Sequence, residues 1–333
     1  MHVKTRDTID IALAADSRYF CGLFVTACSI SKYASKDFAL RFNILDGGIR
    51  DGDWSLLEKT TRAYHPNVEF NRLPVNDEMF ANYPAWHGNK MAYARLILPS
   101  ALKDIEWVIY CDVDFTWMRD ISELWGQRDD KYAFIGTKDG ARWTLDLEEK
   151  WFAKHGYQFD REQYFCSGLC FMNLKRFREE NLIGVCEKVL EECPDIQFPD
   201  QAALNIATWG KRKLVSQKWQ RFIQDVTEKE IEEGVVIHHA GEVPWKKMNP
   251  LVFLSDMVLV WHRMNAEFRH ETVWRSLRRH FSPLEIIWHR GLVKVFRCKI
   301  VHMVLKKSLS MVNHIGVYDN LEMKAKGLGL YVW

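Results

Sequence analysis

No stretch of this 333-residue chain stays apolar for the ~20 residues a membrane-spanning helix needs. The opening MHVKTRDTID has no apolar signal core, so no secretion is expected. There is no GxGxxG after the first predicted strand, which speaks against a hydride-transfer dinucleotide fold. GxxxxGKS/T is also missing, which argues against a phosphate-binding loop of that kind. The eight cysteines are scattered, and no pair has the CxxC spacing of a zinc site. Several sit in apolar runs, so they read as buried free thiols in a reducing compartment. No internal repeat or low-complexity segment is visible. Net charge is only +2, but it is uneven: Arg263–Trp333 carries 13 Lys and Arg against 5 Asp and Glu. A basic tail therefore follows a slightly acidic body.

What is present is ordinary globular composition, 47% hydrophobic and 27% charged, enough for one large domain or one domain with an appendage. Asp10–Ala15 reads as a compact apolar strand, and Phe20–Tyr33 has helical apolar spacing. Phe38–Leu45 is a second strand, Trp54–Tyr64 a second helix and Val68–Leu73 a third strand. Met91–Leu98 reads as a helix stopped by Pro99. Ile105–Tyr110 is a further strand, predicted to be buried on both faces. Such alternation with short links predicts an α/β fold, a mostly parallel sheet with helices on both faces.

That last strand leads into Asp112-Val113-Asp114. Strand alternation points the two carboxylates the same way. Adjacent anions repel unless a cation sits between them, and a hard divalent metal suits carboxylate oxygens. A solvated acidic turn is the alternative. Asp120-Ile-Ser-Glu123 then reads as an N-cap with its capping-box partner. In such sheets ligands bind at the carboxyl ends of strands. Asp16 and Tyr19 follow one strand end, where a tyrosine could stack on a nucleotide base and an aspartate accept from the base or ribose.

The second half adds candidates. Tyr164-Phe165-Cys166-Ser167-Gly168 leads into an apolar strand at Leu169–Leu174, and the glycine suggests close approach of a ligand or backbone. Asp200 opens a predicted helix through Ala207, and an N-cap is its plain reading. Val235–Ile237 is a strand ending in His238-His239-Ala240-Gly241, with Pro244-Trp245-Lys246-Lys247 beyond. His238 is either a metal ligand or an ordinary core or surface histidine.

The ordered set AADSRY (Ala14–Tyr19), YARL (Tyr93–Leu96), DVD at Asp112, DQ at Asp200 and HxxG with a following PW resembles glycosyltransferase family 8. The resemblance covers roughly Asp10 to Trp261. It implies a Rossmann-like GT-A fold and retaining transfer of galactose or glucose from a UDP-sugar. Asp112, Asp114 and His238 match metal ligands, and two carboxylates with one imidazole favour Mn2+ over Mg2+. Asp16, Tyr19 and Val113 match nucleoside contacts. Arg95 matches an arginine near the donor sugar and diphosphate, a surface helix charge being its other reading. Asp139 matches an aspartate near the transferred sugar. Asp200 and Gln201 match the pair beside the anomeric carbon, and His87 an acceptor-side histidine. Gly241 and Lys246 are candidates on the nucleotide side.

Three positions depart from the family pattern. Arg18 and Cys166-Ser167 replace residues that many members carry as Asn and Asn-Ala. The lysine expected before Pro244 is missing, so Lys246 or Lys247 is the candidate to reach the β-phosphate. Residues 1–261 are expected to form the catalytic domain, and 262–333 a basic, aromatic-rich helical tail. Charges interrupt that tail too often for a transmembrane span, so an amphipathic segment on an anionic membrane surface is expected. The expected partners are a UDP-sugar donor, a saccharide or glycolipid acceptor and that membrane surface, not nucleic acid. The expected location is the cytoplasm, peripheral on the inner face of the cell membrane, and the expected role cell-surface polysaccharide or lipopolysaccharide synthesis. Two alternatives stand. IYCDVDFTWM resembles the motif of haloacid-dehalogenase-type phosphatases, with Asp112 as nucleophile and Asp114 as acid/base. A non-catalytic nucleotide-sugar binding relative is the other.

Overall fold

The computed structural model describes residues 7–83, 90–241, 243–246 and 256–286. Its strands are β1 (Thr8–Ala15), β2 (Ala39–Asp46), β3 (Val68–Pro74), β4 (Trp107–Cys111) and β5 (Phe115–Trp117). They continue with β6 (Phe134–Thr137), β7 (Leu169–Asn173), β8 (Arg212–Val215), β9 (Arg221–Phe222) and β10 (Val236–His238). Seven of them form one sheet in the order β3-β2-β1-β4-β7-β6-β8. β1 is parallel to β2 and β4, β2 to β3, and β6 to β8. Only β7 runs against its neighbours, β4 and β6.

The apolar runs explain this layout. β1 reads TIDIALAA and is buried at every position but its first, and every residue of β4 is buried. Strands covered on both faces need continuous apolar sequence rather than alternation. Ala12, Val108, Tyr110, Cys170 and Met172 share a core with residues of helices Leu182–Glu192 and Pro199–Ala207. The reversed strand has a consequence for function. Leu169 at the start of β7 pairs with Cys111 at the end of β4. Gly168 therefore lies beside the DVD turn, and the Asp112 N–H donates to its carbonyl at 2.9 Å.

Helix Phe20–Tyr33 fixes the other side of that turn. The Thr26 hydroxyl reaches the carbonyls of Val113 (2.9 Å) and Phe115 (2.8 Å). The Ser29 hydroxyl accepts from the Trp117 N–H at 3.1 Å. Segment 113–117 is thus held on the helix, and its β5 pairs antiparallel with β10, placing His238 opposite Phe115.

Two local expectations change. Met91–Ile97 is a 3-10 helix, and the chain then turns into a short α-helix, Leu98–Ala101. Pro99 lies in that helix's first turn, where its missing N–H has no intrahelical partner to lose, so it starts a helix rather than stopping one. The helix after the DVD turn runs Ser122–Trp125 with Ile121 at its N-cap. Asp120 instead accepts from the N–H groups of Ser122 (2.9 Å) and Ser35 (3.0 Å). It ties this turn to the residues that follow helix Phe20–Tyr33.

The chain divides into two compact units. The first holds residues up to Arg221 together with Lys229–His238; the second holds Phe222–Glu228 and the residues from His239 onward. The boundary expected after Trp261 falls inside helix Asp256–Phe268. In the second unit that helix meets helix Val273–Arg278. Leu277, Phe281 and Ile286 form its small apolar cluster with Leu259 and Val273. Beside it the buried His262 ring bonds Ser276 Oγ (2.9 Å) and the Pro244 carbonyl (3.1 Å). The basic tail expected over residues 262–333 lies outside the described residues from residue 287 onward. No helix among the described residues is long and apolar enough to cross a membrane.

Thr26 sits at 0% exposure and serves two carbonyls at the functional turn. Thr26→Val keeps the shape and removes the donor. The expected loss is about 1–3 kcal/mol, the range for leaving buried polar groups unsatisfied. Urea denaturation measures it, and a stability equal to wild type contradicts this role for the hydroxyl.

Candidate active site

Asp112, Asp114 and His238 come together: one ligand atom from each lies within 4.8 Å of the others. The convergence is not the strand alternation expected. β4 ends at Cys111, and Asp112 to Asp114 form a turn. That turn and the antiparallel β10 bring the three side chains together from two elements. His238 Nε2 lies 3.4 Å from Asp114 Oδ1, and the imidazole stacks on Phe115 with ring centroids 4.2 Å apart. Gly168 makes room for the ring: a Cβ there would come within 2.7 Å of His238 Cε1. The glycine expected at a close approach is thus found facing the histidine itself.

Arg95 is the cation of the site, not a surface helix charge. It is 3% exposed. Its guanidinium donates to Asp112 Oδ1 (2.7 Å), pairs with Asp200 Oδ2 (3.2 Å), donates to the Ser167 carbonyl, and lies over the Tyr110 ring at 4.5 Å. Burial works against its charge, but Asp112 and Asp200 outweigh that and hold it protonated above the ordinary arginine range. At Asp112 the balance differs. Crowding by protein raises its carboxyl above the usual value although 29% of the side chain stays accessible. Arg95 pulls it back down, and Asp114 pushes it up.

Asp200 is not an N-cap. Helix Pro199–Ala207 has Phe198 at that position and Asp200 in its first turn. The Asp200 carboxylate accepts from Ser167 Oγ at 2.8 Å. Gln201 is fixed at both ends: its Oε1 accepts from the Ser167 N–H (2.9 Å) and its Nε2 donates to Asp139 Oδ2 (2.9 Å). Asp139 is 2% exposed, and burial raises its carboxyl while bonds from Ala141 and Gln201 lower it. The four candidates Arg95, Asp139, Asp200 and Gln201 form one network, with Ser167 touching three of them.

Asp16 and Tyr19 follow β1 as expected. The Asp16 carboxylate already caps its own turn, accepting from the N–H groups of Arg18 (2.8 Å) and Tyr19 (3.1 Å). It also pairs with the exposed Arg18 guanidinium at 2.6 Å. The Val113 carbonyl is occupied by Thr26. Gly241 and Lys246 lie in the second unit. Gly241 has φ of +79°, a conformation that favours glycine. His87 and Lys247 lie outside the described residues. The seven cysteines of the described residues are free, and burial pushes the thiols of Cys111, Cys166 and Cys170 up.

Sequence reading missed Gln220 and Glu148, which no motif surrounds, and gave no role to Thr137, two residues before Asp139, or to Tyr164, at the head of a stretch already singled out. Gln220 reaches His238 Nδ1 at 3.1 Å. Tyr164 donates to Glu148 Oε2 at 2.6 Å and lies 3.5 Å from Gln201 Nε2. Glu148 is fully buried. Burial pushes its carboxyl up to about 7; the Tyr164 hydroxyl opposes the rise, and Asp139 and Asp200 add to it. The folded chain thus binds this proton more tightly than the unfolded chain, where a glutamate titrates near ~4.3. Its contribution is present at low pH and is lost as pH rises toward about 7. Glu148→Gln should therefore gain on wild type between pH 5 and pH 8, by up to ~3 kcal/mol. Chemical denaturation at both pH values measures the difference. A difference that does not change with pH contradicts burial of an ionisable Glu148.

Comparison with known proteins identifies the architecture. The family described as "Glycosyl transferase family 8" matches residues 10–249. A Haemophilus influenzae protein named as a glycosyltransferase is 28% identical over 219 residues, 64% of this chain and 63% of that protein. General stress protein A of Bacillus subtilis is 27% identical over 209 residues, 61% and 69% of the two chains. Aligned regions thus take in about two thirds of these relatives' lengths. Among solved structures, the galactosyltransferase LgtC, crystallised with donor and acceptor sugar analogs, superposes with TM-score 0.63 at 23% identity, covering 78% of this chain and 96% of LgtC. The WbbM bifunctional glycosyltransferase gives TM-score 0.68 at 17% identity, over 85% of this chain and 53% of WbbM. These likenesses establish the GT-A fold, and the matched residues, 10–249, establish that this chain belongs to glycosyltransferase family 8.

Proposed function

We propose that this chain transfers a hexose, galactose or glucose, from a UDP-sugar to a saccharide or glycolipid acceptor, with retention at the anomeric carbon. The observation that carries the reading is the convergence of Asp112, Asp114 and His238 beside the buried Arg95. Two carboxylates and an imidazole are a fitting donor set for Mn2+, and Mg2+ is the harder alternative. A divalent ion held there supplies Lewis acidity to the diphosphate as UDP leaves. The chain's own residues do the rest. Arg95 is the protein cation fixed next to the metal site, and Asp16, Tyr19 and the Val113 backbone are assigned to the nucleoside. Gly241 and Lys246 are assigned to the diphosphate, Lys246 in place of the lysine missing before Pro244.

Asp139, Asp200 and Gln201 are assigned to the transferred sugar, where positive charge develops. Asp200 is engaged by Arg95 and Ser167, and both ends of the Gln201 amide are occupied. Both Asp200 contacts fall on Oδ2, and the Gln201 amide oxygen is far less basic than a carboxylate, so Gln201 is a poor nucleophile. That supports attack from the face that UDP leaves, a UDP oxygen taking the acceptor's proton. The phosphatase alternative leaves unexplained why Arg95 pairs with Asp112 and why His238 approaches Asp114. A role in assembling cell-surface saccharide is consistent with this chemistry.

The test is turnover of UDP-galactose and UDP-glucose, hydrolysis included, with Mn2+ present. Chelator should stop it and Mn2+ restore it. Asp114→Asn should lower kcat at least ~100-fold, from the loss of several kcal/mol of charge stabilisation, with an unchanged melting temperature. Full activity in metal-free buffer rejects the metal assignment. A well-folded chain that turns over neither sugar is a binding relative, not a hexosyltransferase.

A further inference from the structure

His238 is the one imidazole in a cluster otherwise made of carboxylates. A neutral imidazole ligates a metal through one nitrogen only if the other carries the hydrogen, and the group bonded to that second nitrogen decides which form exists. His238 Nδ1 lies 3.1 Å from Gln220 Nε2, and Gln220 Oε1 accepts from Thr137 Oγ1 at 2.7 Å. The assembly is buried: Thr137 is 0% exposed, Gln220 3% and His238 5%. It is also close-packed. A Cβ on Gly168 would meet both the ring and, at 3.1 Å, Gln220 Nε2. Phe115 covers the imidazole face.

Each member of this chain can reverse its role. A carboxamide offers a donor at one end and an acceptor at the other, and a threonine hydroxyl both donates and accepts. With the Gln220 amide nitrogen toward Nδ1, an amide that can only donate there requires the ring hydrogen on Nε2, the nitrogen 3.4 Å from Asp114 Oδ1. With the carboxamide turned over, Oε1 accepts from Nδ1–H, Nε2 donates to Thr137 Oγ1, and His238 Nε2 presents a lone pair to the cluster. The exchange keeps both bonds of the amide and gives up the His238–Asp114 contact, whose place a cation takes. A fixed acceptor such as a carboxylate would support only the second state.

We propose that Gln220, backed by Thr137, is the positioning residue that makes His238 a metal ligand, its reversible amide letting the ring alternate between bonding Asp114 and binding a divalent cation. This rests on the metal-centre reading above. Gln220 lies in the segment between β8 and β10, 18 residues before His238, and belongs to none of the motifs by which the chain was recognised.

The experiment is direct Mn2+ titration of the full chain by calorimetry or electron paramagnetic resonance, without turnover. Gln220→Leu removes the partner of Nδ1 and should weaken Mn2+ binding by roughly 10- to 100-fold, the range seen when an outer-sphere partner of a ligating histidine is lost. Gln220→Glu keeps an acceptor for Nδ1–H and should bind Mn2+ at least as well as wild type. Rescue by the acceptor separates positioning from simple space filling. Should the leucine variant not fold, Thr137→Val, which keeps volume and removes the hydroxyl, should also weaken binding. Wild-type affinity in whichever of these two variants folds overturns the role of Gln220 and leaves the metal site standing. Weakening by glutamate equal to that by leucine overturns it too. Absence of Mn2+ binding in wild type overturns the metal site itself, and this inference with it.

Discussion

One buried guanidinium organises the first unit's polar centre. Arg95 holds Asp112 on one side and Asp200 on the other, and its contact with the Ser167 carbonyl fixes the residue between them. A charge at 3% exposure is sustained only by partners this close. Removing one partner of such a group typically costs ~3–5 kcal/mol, because the remaining charge is stranded. The same ion therefore joins the turn after β4 to helix Pro199–Ala207. Their spacing is set by one planar side chain with several donors, something a lysine could not do.

The reversed strand β7 is what makes that arrangement fit. Because it enters beside the exit of β4, Ser167 and Gly168 lie next to the DVD turn. Each then does a different task. Gly168 leaves room for the His238 imidazole, while Ser167 uses its N–H, its hydroxyl and its carbonyl on Gln201, Asp200 and Arg95. The departure noted at Cys166-Ser167 thus has a physical consequence. A hydroxyl at 167 adds a bond to Asp200 that an alanine would not make.

Much of this was legible in the sequence because burial on both faces writes itself as apolar runs. β1, β2, β3 and the helices Phe20–Tyr33 and Asp51–Tyr64 lie within a few residues of where periodicity puts them. Asp112, Asp114 and His238 as one group, and Arg95 and Asp200 as separate candidates, were legible through ordered motifs; the Arg95–Asp200 ion pair was not. What failed was local and tertiary. Pro99 and Asp120 were read by their commonest roles, and packing overrode both. The carboxylates of Asp112 and Asp114 converge through a turn, which alternation along a strand does not describe. Gln220 and Glu148 were invisible, because a buried amide or acid carries no local signature and acquires meaning only from the residues folded against it. Of the residues assigned to the nucleotide, Asp16, Tyr19 and Val113 lie in the first unit and Gly241 and Lys246 in the second.

The central claim is that Asp112, Asp114 and His238 hold one divalent cation. Anomalous scattering from a crystal of the full chain grown with Mn2+ and UDP tests it most directly. The account predicts a single strong manganese peak bonded to carboxylate oxygens of both aspartates and to His238 Nε2. A manganese ion bound elsewhere with this triad bare, or no ordered manganese at all, would contradict it.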